Sequence, residues 1–368
     1  MKKAFVGVPC DIEALRKIQA FFEDGWIREV VLQIGLFCRE NWAYTCFRAL
    51  VEDDYGVKME DVKKFDIKKG NIIAYQKAGK ILEFPLEKSR PYVRIGCQVC
   101  MDFTAELADI SVGAVGTPLK WSTVVVRTKE GLKLVEGAAE EGYIELKPIE
   151  EVKPGVALIK RIDDEKKKEN LEEAKARDKK GISVPHIKTL EEGDLKKVKE
   201  SAKGKDFKAL EGEIVDTGLC IACGACEVVC PEECVKIVDQ RPILRKECKE
   251  ECYECYLYCP RTSLPLKALE ELVFERDIPR LEGVGKCLKT YAARARDEDV
   301  LEMGQDGGAV TALLAYALDK GIIDEVVAPV KGEDPWRPEP FVSKNKEDLK
   351  KTSGTIYSHS TSIPLLRC

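Results

Sequence analysis

Nine cysteines fall between Leu219 and Leu264, and their spacing is that of a ligand set. Cys220, Cys223, Cys226 and Cys230 read Cys-x-x-Cys-x-x-Cys-x-x-x-Cys and close on Pro231; Cys252, Cys255 and Cys259 repeat the last part and close on Pro260. A cube-shaped 4Fe-4S cluster needs four thiolates converging from different directions. One tight loop supplies three, and the fourth of each run ligates the other cluster. On that rule Cys220, Cys223, Cys226 and Cys259 hold one cluster, and Cys230, Cys248, Cys252 and Cys255 a second. Cys248 departs from the usual spacing, standing four positions before Cys252 instead of three. Paired Cys-x-x-Cys also builds zinc sites, but a run of this form closing on proline and occurring almost twice favours clusters. The ninth thiol, Cys234, reads as packed.

The elements that must position these ligands are short. Val235 to Asp239 and Ile243 to Lys246 flank Gln240-Arg241-Pro242, which suits the two-stranded ribbon of a small α+β bacterial-type ferredoxin domain over residues 209–265.

A second thiol set is spread through the first hundred residues. Ala4 to Val8 is an apolar run ending at Pro9-Cys10, followed by a helix started by Asp11, whose side chain can cap the turn. Val30 to Leu36 is a second buried run ending just before Cys38, and Asn41 to Val51 reads as another helix. If the two strands are parallel, Cys10 and Cys38 emerge at one sheet edge, where open α/β folds place their ligands. Cys97 and Cys100 add a further Cys-x-x-Cys in a loop begun by Gly96. Together the four could hold a third 4Fe-4S cluster; taken singly, each is a buried thiol.

Other segments carry weaker signals. Asp109 to Gly116 reads as a strand whose Gly113 and Gly116 leave room for another group or mark bulges, and Trp121 to Arg127 as a strand ending on a cation, a surface residue on the bland reading. Asp163 to Lys180 is almost wholly charged, with Asp164/Lys168 and Glu173/Arg177 at helix-pair spacing, and reads as a solvated helix; Ile182 to Lys208 reads as a linker. Gly304-Gln-Asp-Gly-Gly308 runs into Val310, Leu313, Leu314, Ala317 and Leu318, a helix closed by Gly321. Such a turn presents backbone N–H groups to an anion, as for the phosphates of a dinucleotide. Asp334 to Pro340 is a proline-rich loop, and a helix begins near Ser362, running to Cys368. His186 and His359 have no metal-like neighbour in sequence and carry little weight as catalytic bases.

The 368 residues allow two or three domains. With 60 Lys+Arg against 65 Asp+Glu the net charge is -5, so nothing points to nucleic acid. Sixteen cysteines at these spacings do not form a secreted disulfide scaffold and belong in a reducing compartment. Met1-Lys2-Lys3 precedes too short an apolar run for a secretory signal. No run approaches the roughly 20 apolar residues of a transmembrane segment. The expected location is cytoplasmic, or peripheral to a membrane complex.

At this point the motifs resemble the beta subunits of coenzyme F-420-reducing hydrogenase, formate dehydrogenase and F-420H2 dehydrogenase of methanogenic archaea. Val6-Gly-Val-Pro-Cys10, Gly35-Leu-Phe-Cys38 with Asn41, Phe65-Asp-Ile-Lys-Lys-Gly70, Gly96-Cys-Gln-Val-Cys100, Ala108-Asp-Ile-Ser-Val-Gly113 and Trp121-Ser-Thr-Val124 look like the carboxyl half of that family. Gly304-Gln-Asp-Gly-Gly308, Trp336-Arg-Pro-Glu-Pro340 and Gly354-Thr-Ile-Tyr357 look like its amino half, so the halves stand in permuted order. The organisation implied is a carboxyl half over residues 1–160, a charged helix and linker over 161–208, the ferredoxin domain over 209–265 and the amino half over 266–368. Either the chain is a circular permutant whose ends meet, or a second copy or sister chain completes the flavin site.

The resemblance implies an α/β mixed-sheet core binding FAD and coenzyme F-420, with Cys10, Cys38, Cys97 and Cys100 holding the core cluster. The implied flavin contacts are Gln305, Asp306, Gly307, Gly308, Thr311, Gly354, Thr355, Tyr357, Ser111, Gly113, Gly116, Trp121, Ser122 and Thr123. Ile356 stands where the family commonly has Lys, and Asp11 where it has Gln. The implied activity is that of an F-420 oxidoreductase: hydride passes between coenzyme F-420 and FAD, then single electrons pass through the clusters to ferredoxin or to the catalytic subunit of a hydrogenase, dehydrogenase or reductase. No side-chain nucleophile is required. The alternatives are a polyferredoxin-like carrier without flavin, and the electron-input module of a sulfite reductase or glutamate synthase.

Overall fold

The computed structural model describes residues 1–22 and 25–367. Cys368, where the sequence places the end of the last helix, lies outside the described residues. In chain order the strands are β1 (Lys3–Gly7), β2 (Val30–Leu36), β3 (Val62–Lys68), β4 (Asn71–Gln76), β5 (Ile81–Pro85), β6 (Ile110–Gly113), β7 (Ser122–Val126), β8 (Ile144–Pro148), β9 (Val235–Val238), β10 (Arg241–Leu244), β11 (Arg280–Leu281), β12 (Gly285–Lys286), β13 (Lys289–Ala295), β14 (Glu325–Lys331) and β15 (Pro338–Ser343).

Eight strands form one mixed sheet in the order β15-β14-β1-β2-β6-β7-β13-β8. β14, β1, β2 and β6 run parallel, and both ends of the sheet turn antiparallel. The first and last segments of the chain are therefore neighbours. Lys3 pairs in register with Glu325, and Lys3 Nζ donates to the carbonyl of Leu366 at 2.9 Å. One chain supplies both halves of the sheet.

Alternate residues of each strand go to opposite faces. Ala4 and Val6 join Leu32, Ile34, Val124, Leu134, Leu313 and Leu314 beneath the helices Lys129–Glu140 and Ala309–Asp319, whereas Phe5 faces Ile12, Leu15 and Ile18 of the helix Pro9–Phe21. That second face also takes in the cysteine-rich segment, with Leu219, Ile221, Val228 and Leu257 in the same core. A separate aromatic core of Trp42, Phe47, Phe65 and Trp336 supports the three-stranded sheet β3-β4-β5.

Several elements differ from the sequence expectation. The first helix begins at Pro9, where a missing N–H is harmless, and Asp11 reaches back to accept the Val8 N–H at 3.2 Å. The ribbon turns at Asp239-Gln240, both in the left-handed region, so Arg241 and Pro242 belong to β10. Pro338 to Pro340, read as loop, opens edge strand β15, where proline is tolerated. The segment after Ser362 is a short 3-10 turn, Ile363–Arg367.

The charged stretch makes the largest correction. It is a 24-residue helix, Val156–Lys179, and it is not solvated all round: Ile159, Asp163, Lys166 and Ala174 are buried. Glu173 and Arg177 pair at 2.7 Å as expected, but Asp164 pairs with Lys160. The stretch read as a linker buries Val184, Val198, Ala202 and Phe207 in the common core, and His186 is buried as well. Arg127, given a surface reading, is fully buried and bonded to Ser111 Oγ, to Thr104 and to the carbonyls of Val284 and Lys286. Its periodicity in sequence could not show this, because two of its partners, the carbonyls of Val284 and Lys286, lie more than 150 residues away.

Candidate functional site

β1 and β2 are adjacent and parallel, so the residues after them leave the sheet at one edge. Cys10 lies in the first turn of the helix Pro9–Phe21, Cys38 just past β2, and Cys97 and Cys100 in and after the 3-10 turn Ile95–Val99. All four line one cavity with Arg94, Lys166, Ile221, Arg261 and His359. Burial raises the thiols of Cys10, Cys38 and Cys97, and neighbouring thiols of the same set raise them further.

The long charged helix braces this cavity. Lys166 is 3% exposed and its Nζ donates to the carbonyls of Cys38 and Asp102, each at 2.6 Å. Asn170 Nδ2 donates to the carbonyls of Cys97 (2.9 Å) and Cys100 (2.6 Å), tying down the Cys-x-x-Cys loop. Sequence reasoning missed both residues; the one signal was an amide among charges at helical spacing from a lysine. His359 was also undervalued. Its Nε2 lies 2.9 Å from an Asp11 carboxyl oxygen, and ligand atoms of Cys10, Asp11 and His359 all lie within 4.8 Å of one another.

The second cavity is lined by Cys220, Cys223, Cys226 and Cys259, again with Ile221 and Arg261. The remaining ligand candidates lie near one another: burial raises the Cys255 thiol, and Cys252, Cys248, Cys259 and Cys230 raise it further. Cys234 lies against Cys230 and Cys248, with its N–H on Cys230 Sγ at 3.2 Å and its Sγ on the Glu247 carbonyl at 3.3 Å. Sulfurs around one zinc at about 2.3 Å would lie roughly 3.8 Å apart. Among the described residues no three thiol sulfurs lie within 4.8 Å of one another. The donor sets fit a multi-iron cluster better than a single ion.

The segments expected to contact flavin gather in part. Gly307 N–H donates to Ser122 Oγ at 3.1 Å, joining the glycine turn to β7, and a Cβ at Gly307 would strike the Ala293 carbonyl at 2.5 Å. Thr311 and Ser353 hydroxyls are 3.1 Å apart, which brings Gly354 and Thr355 beside the start of the helix Ala309–Asp319. Gln305 is held by β3: its Nε2 donates to the Phe65 carbonyl, and Lys64 Nζ donates to the Gln305 carbonyl at 2.9 Å. Burial and Asp66 raise the Asp306 carboxyl, while Lys64 and Lys68 oppose them. Burial, Asp66 and Asp306 raise the Tyr357 hydroxyl. Trp121 carries Lys147 Nζ 4.4 Å above its ring. Gly116 has φ +103 and packs against Ile159 and Thr123. Ser111 and Thr123 are wholly buried, their hydroxyls donating to the carbonyls of Ala105 and Val115, and a Cβ at Gly113 would meet the Phe37 ring at 2.3 Å.

A mixed α/β sheet enclosing a thiol-rich region with a 4Fe-4S binding domain defines an iron–sulfur electron-transfer class. That domain's family model matches residues 213–236. The model for the C terminus of the beta subunit in coenzyme F420 hydrogenase/dehydrogenase matches residues 1–152, and its N-terminal counterpart matches residues 290–367. The chain belongs to the coenzyme F420 hydrogenase/dehydrogenase beta-subunit family, with the two halves in reverse order. It is similar to the coenzyme F420 hydrogenase subunit beta of Methanococcus voltae, 38% identical over 50% of this chain and 66% of the relative. It also resembles the coenzyme F420-dependent sulfite reductase of Methanocaldococcus jannaschii, 34% identical over 46% of this chain and 29% of the relative. Among solved structures, a chain of the F420-reducing [NiFe] hydrogenase complex from Methanosarcina barkeri is 39% identical, with a TM-score of 0.46 over 48% of this chain and 61% of that one. The chain thus spans just under two thirds of the length of the hydrogenase beta subunit. Among the described residues no helix is long and apolar enough to cross a membrane.

Proposed function

We propose that this chain is the electron-carrying module of a coenzyme F420-dependent oxidoreductase, passing electrons between a flavin and three 4Fe-4S clusters. The observation that carries the reading is the convergence of Cys10, Cys38, Cys97 and Cys100 on one buried cavity beside the buried cations Lys166 and Arg261. A cluster held by four thiolates is anionic overall, and buried cations of this kind offset its charge in a low-dielectric site. Cys220, Cys223, Cys226 and Cys259 hold the second cluster, and Cys230, Cys248, Cys252 and Cys255 the third.

FAD is assigned to the junction of the glycine turn with β3, β7 and the Ser353–Tyr357 segment. The helix Ala309–Asp319 has no side-chain cap, so its first N–H groups and the hydroxyls of Thr311 and Ser353 are donors for the phosphates. Lys64 and Lys68 supply positive charge, and Asp306 and Asp66 offset it. The flavin supplies the exchange between hydride and single electrons that clusters alone cannot perform. The chain's part is to hold the clusters close, keep water from the thiols and orient the flavin.

Anaerobic reconstitution with iron, sulfide and FAD tests the reading. Bound flavin, about twelve irons per chain, and bleaching of oxidised F420 with a reduced dye are expected. About eight irons without flavin would leave a ferredoxin-like carrier instead.

A further inference from the structure

The two thiol-lined cavities share a wall. Ile221 and Arg261 border both. Each belongs to a ligand loop of the first ferredoxin cluster: Ile221 follows Cys220 directly, and Arg261 comes two residues after Cys259. The core loop touches them from the other side. A Cβ at Gly96 would meet the Leu219 carbonyl at 2.7 Å, so the absence of a side chain there lets the Cys97 loop lie on the backbone that leads into Cys220. Helix Pro9–Phe21 spans the same gap: it carries Cys10 at one end, while Lys17 Nζ bonds the carbonyls of Cys259 and Ser263, each at 2.6 Å.

Arg261 is 1% exposed, and its Nη1 lies 3.0 Å from His186 Nε2. Burial and Arg261 keep that imidazole neutral, and the same Nε2 also lies 3.2 Å from the Val99 carbonyl. Nε and Nη2 of Arg261 are buried and bond no oxygen or nitrogen, while the guanidinium reaches the Cys100 thiol. Burial works against the guanidinium charge, but Cys100, Glu13 and Cys10 outweigh it. A buried guanidinium between two thiolate sets is costly unless negative charge faces it.

We propose that Arg261 is a positioning and potential-setting residue shared by the core cluster and the first ferredoxin cluster, making them one transfer pair across the Ile221–Arg261 wall. The inference rests on the three-cluster reading above. Arg261 stays charged throughout. The transfer it serves moves one electron from core to ferredoxin cluster, the first oxidised and the second reduced by one unit, or the reverse, and no bond or proton changes. Because reduction adds negative charge, a fixed cation bordering both cavities makes each cluster easier to reduce.

The test is a potentiometric titration, followed by electron paramagnetic resonance, of the reconstituted full chain with Arg261→Met and Arg261→Lys. For Arg261→Met the equilibrium constant for reducing the core cluster falls at least tenfold, about 59 mV for one electron. The first ferredoxin cluster shifts in the same direction, and the cluster at Cys230, Cys248, Cys252 and Cys255 does not move. Arg261→Lys, which keeps a positive charge while its amine is protonated, recovers part of the constant lost in Arg261→Met. If Arg261→Met loses iron, Arg261→Gln carries the same comparison. Full iron with an unshifted core potential in the uncharged variant overturns the inference, as does a lysine variant that shifts as far as the methionine one. Wild-type protein with about eight irons and no core signal overturns the three-cluster reading instead.

Discussion

The two thiol sites differ in how the chain builds them. In the ferredoxin region the ligand loops are short and nearly contiguous: three of the first cluster's four cysteines lie within seven residues, and the ribbon β9-β10 closes the space between the loops. In the core, three separate segments deliver Cys10, Cys38 and the Cys97/Cys100 pair, the cavity is lined further by Lys166 of the long helix and Arg261 of the ferredoxin region, and Asn170 holds the Cys97/Cys100 loop. The first is a local motif that brings its own geometry. The second exists only when sheet, helix and ferredoxin region are all in place. The core site therefore depends on distant braces, and loss of one should harm it selectively.

The largest effects test the ligands. Cys97→Ser and Cys223→Ser each should remove about four irons per chain, read by iron and sulfide analysis. The comparison predicts a difference beyond the iron count. Cys223→Ser leaves the core signal in place, while Cys97→Ser leaves the ferredoxin signals in place but cuts electron flow from flavin to them. Equal loss of all signals in both variants would break the distinction between a local and an assembled site. Next in size is Lys166→Met. It removes the buried cation and leaves the carbonyls of Cys38 and Asp102 without their Nζ donor, a cost of about 2–4 kcal/mol. A lower Tm of the loaded protein and preferential loss of the core signal are the expected readouts.

Legibility in the sequence follows the same division. Seven of the nine cysteines between Leu219 and Leu264 follow the standard spacing, because a cluster loop is a local object, and the structure places Cys220, Cys223, Cys226 and Cys259 around one cavity. The strand-end positions of Cys10 and Cys38 were also legible, since buried runs followed by Pro-Cys or Phe-Cys mark where chain leaves a sheet. What could not be read was which face of the Val156–Lys179 helix is buried. Lys166 and Lys168 look alike in sequence, and only the position of the Cys-x-x-Cys loop makes one a brace. Arg127 and His359 escaped for the same reason, as their partners are Val284 and Asp11, far off along the chain. Family resemblance supplied the order of the halves, which no local pattern encodes.

Smaller effects come from the same helix and sharpen the comparison. Asn170→Ala removes the amide that bonds the carbonyls of Cys97 and Cys100, costing about 1–2 kcal/mol. The loop keeps its backbone bond from Cys100 N–H to the Cys97 carbonyl at 3.2 Å, so the core cluster still forms. Its loss in air should be faster than in wild type while the two ferredoxin clusters decay at the wild-type rate, followed by their separate resonance signals.

The control lies on the opposite face of that helix. Arg161 and Glu165 are exposed and stand 3.8 Å apart, one turn from each other. Water screens such a pair, and holding two long side chains in one geometry offsets most of its attraction. Arg161→Ala should leave Tm, iron content and the core decay rate at wild-type values. Lys166 is only five residues further on, with the same charge and on the same helix, so the lysine and arginine variants differ in one respect: whether the side chain points at the core cavity. If Arg161→Ala weakened the core cluster as much as Lys166→Met does, the helix would be acting through its overall charge or stability, and the bracing role assigned to its buried face would fall.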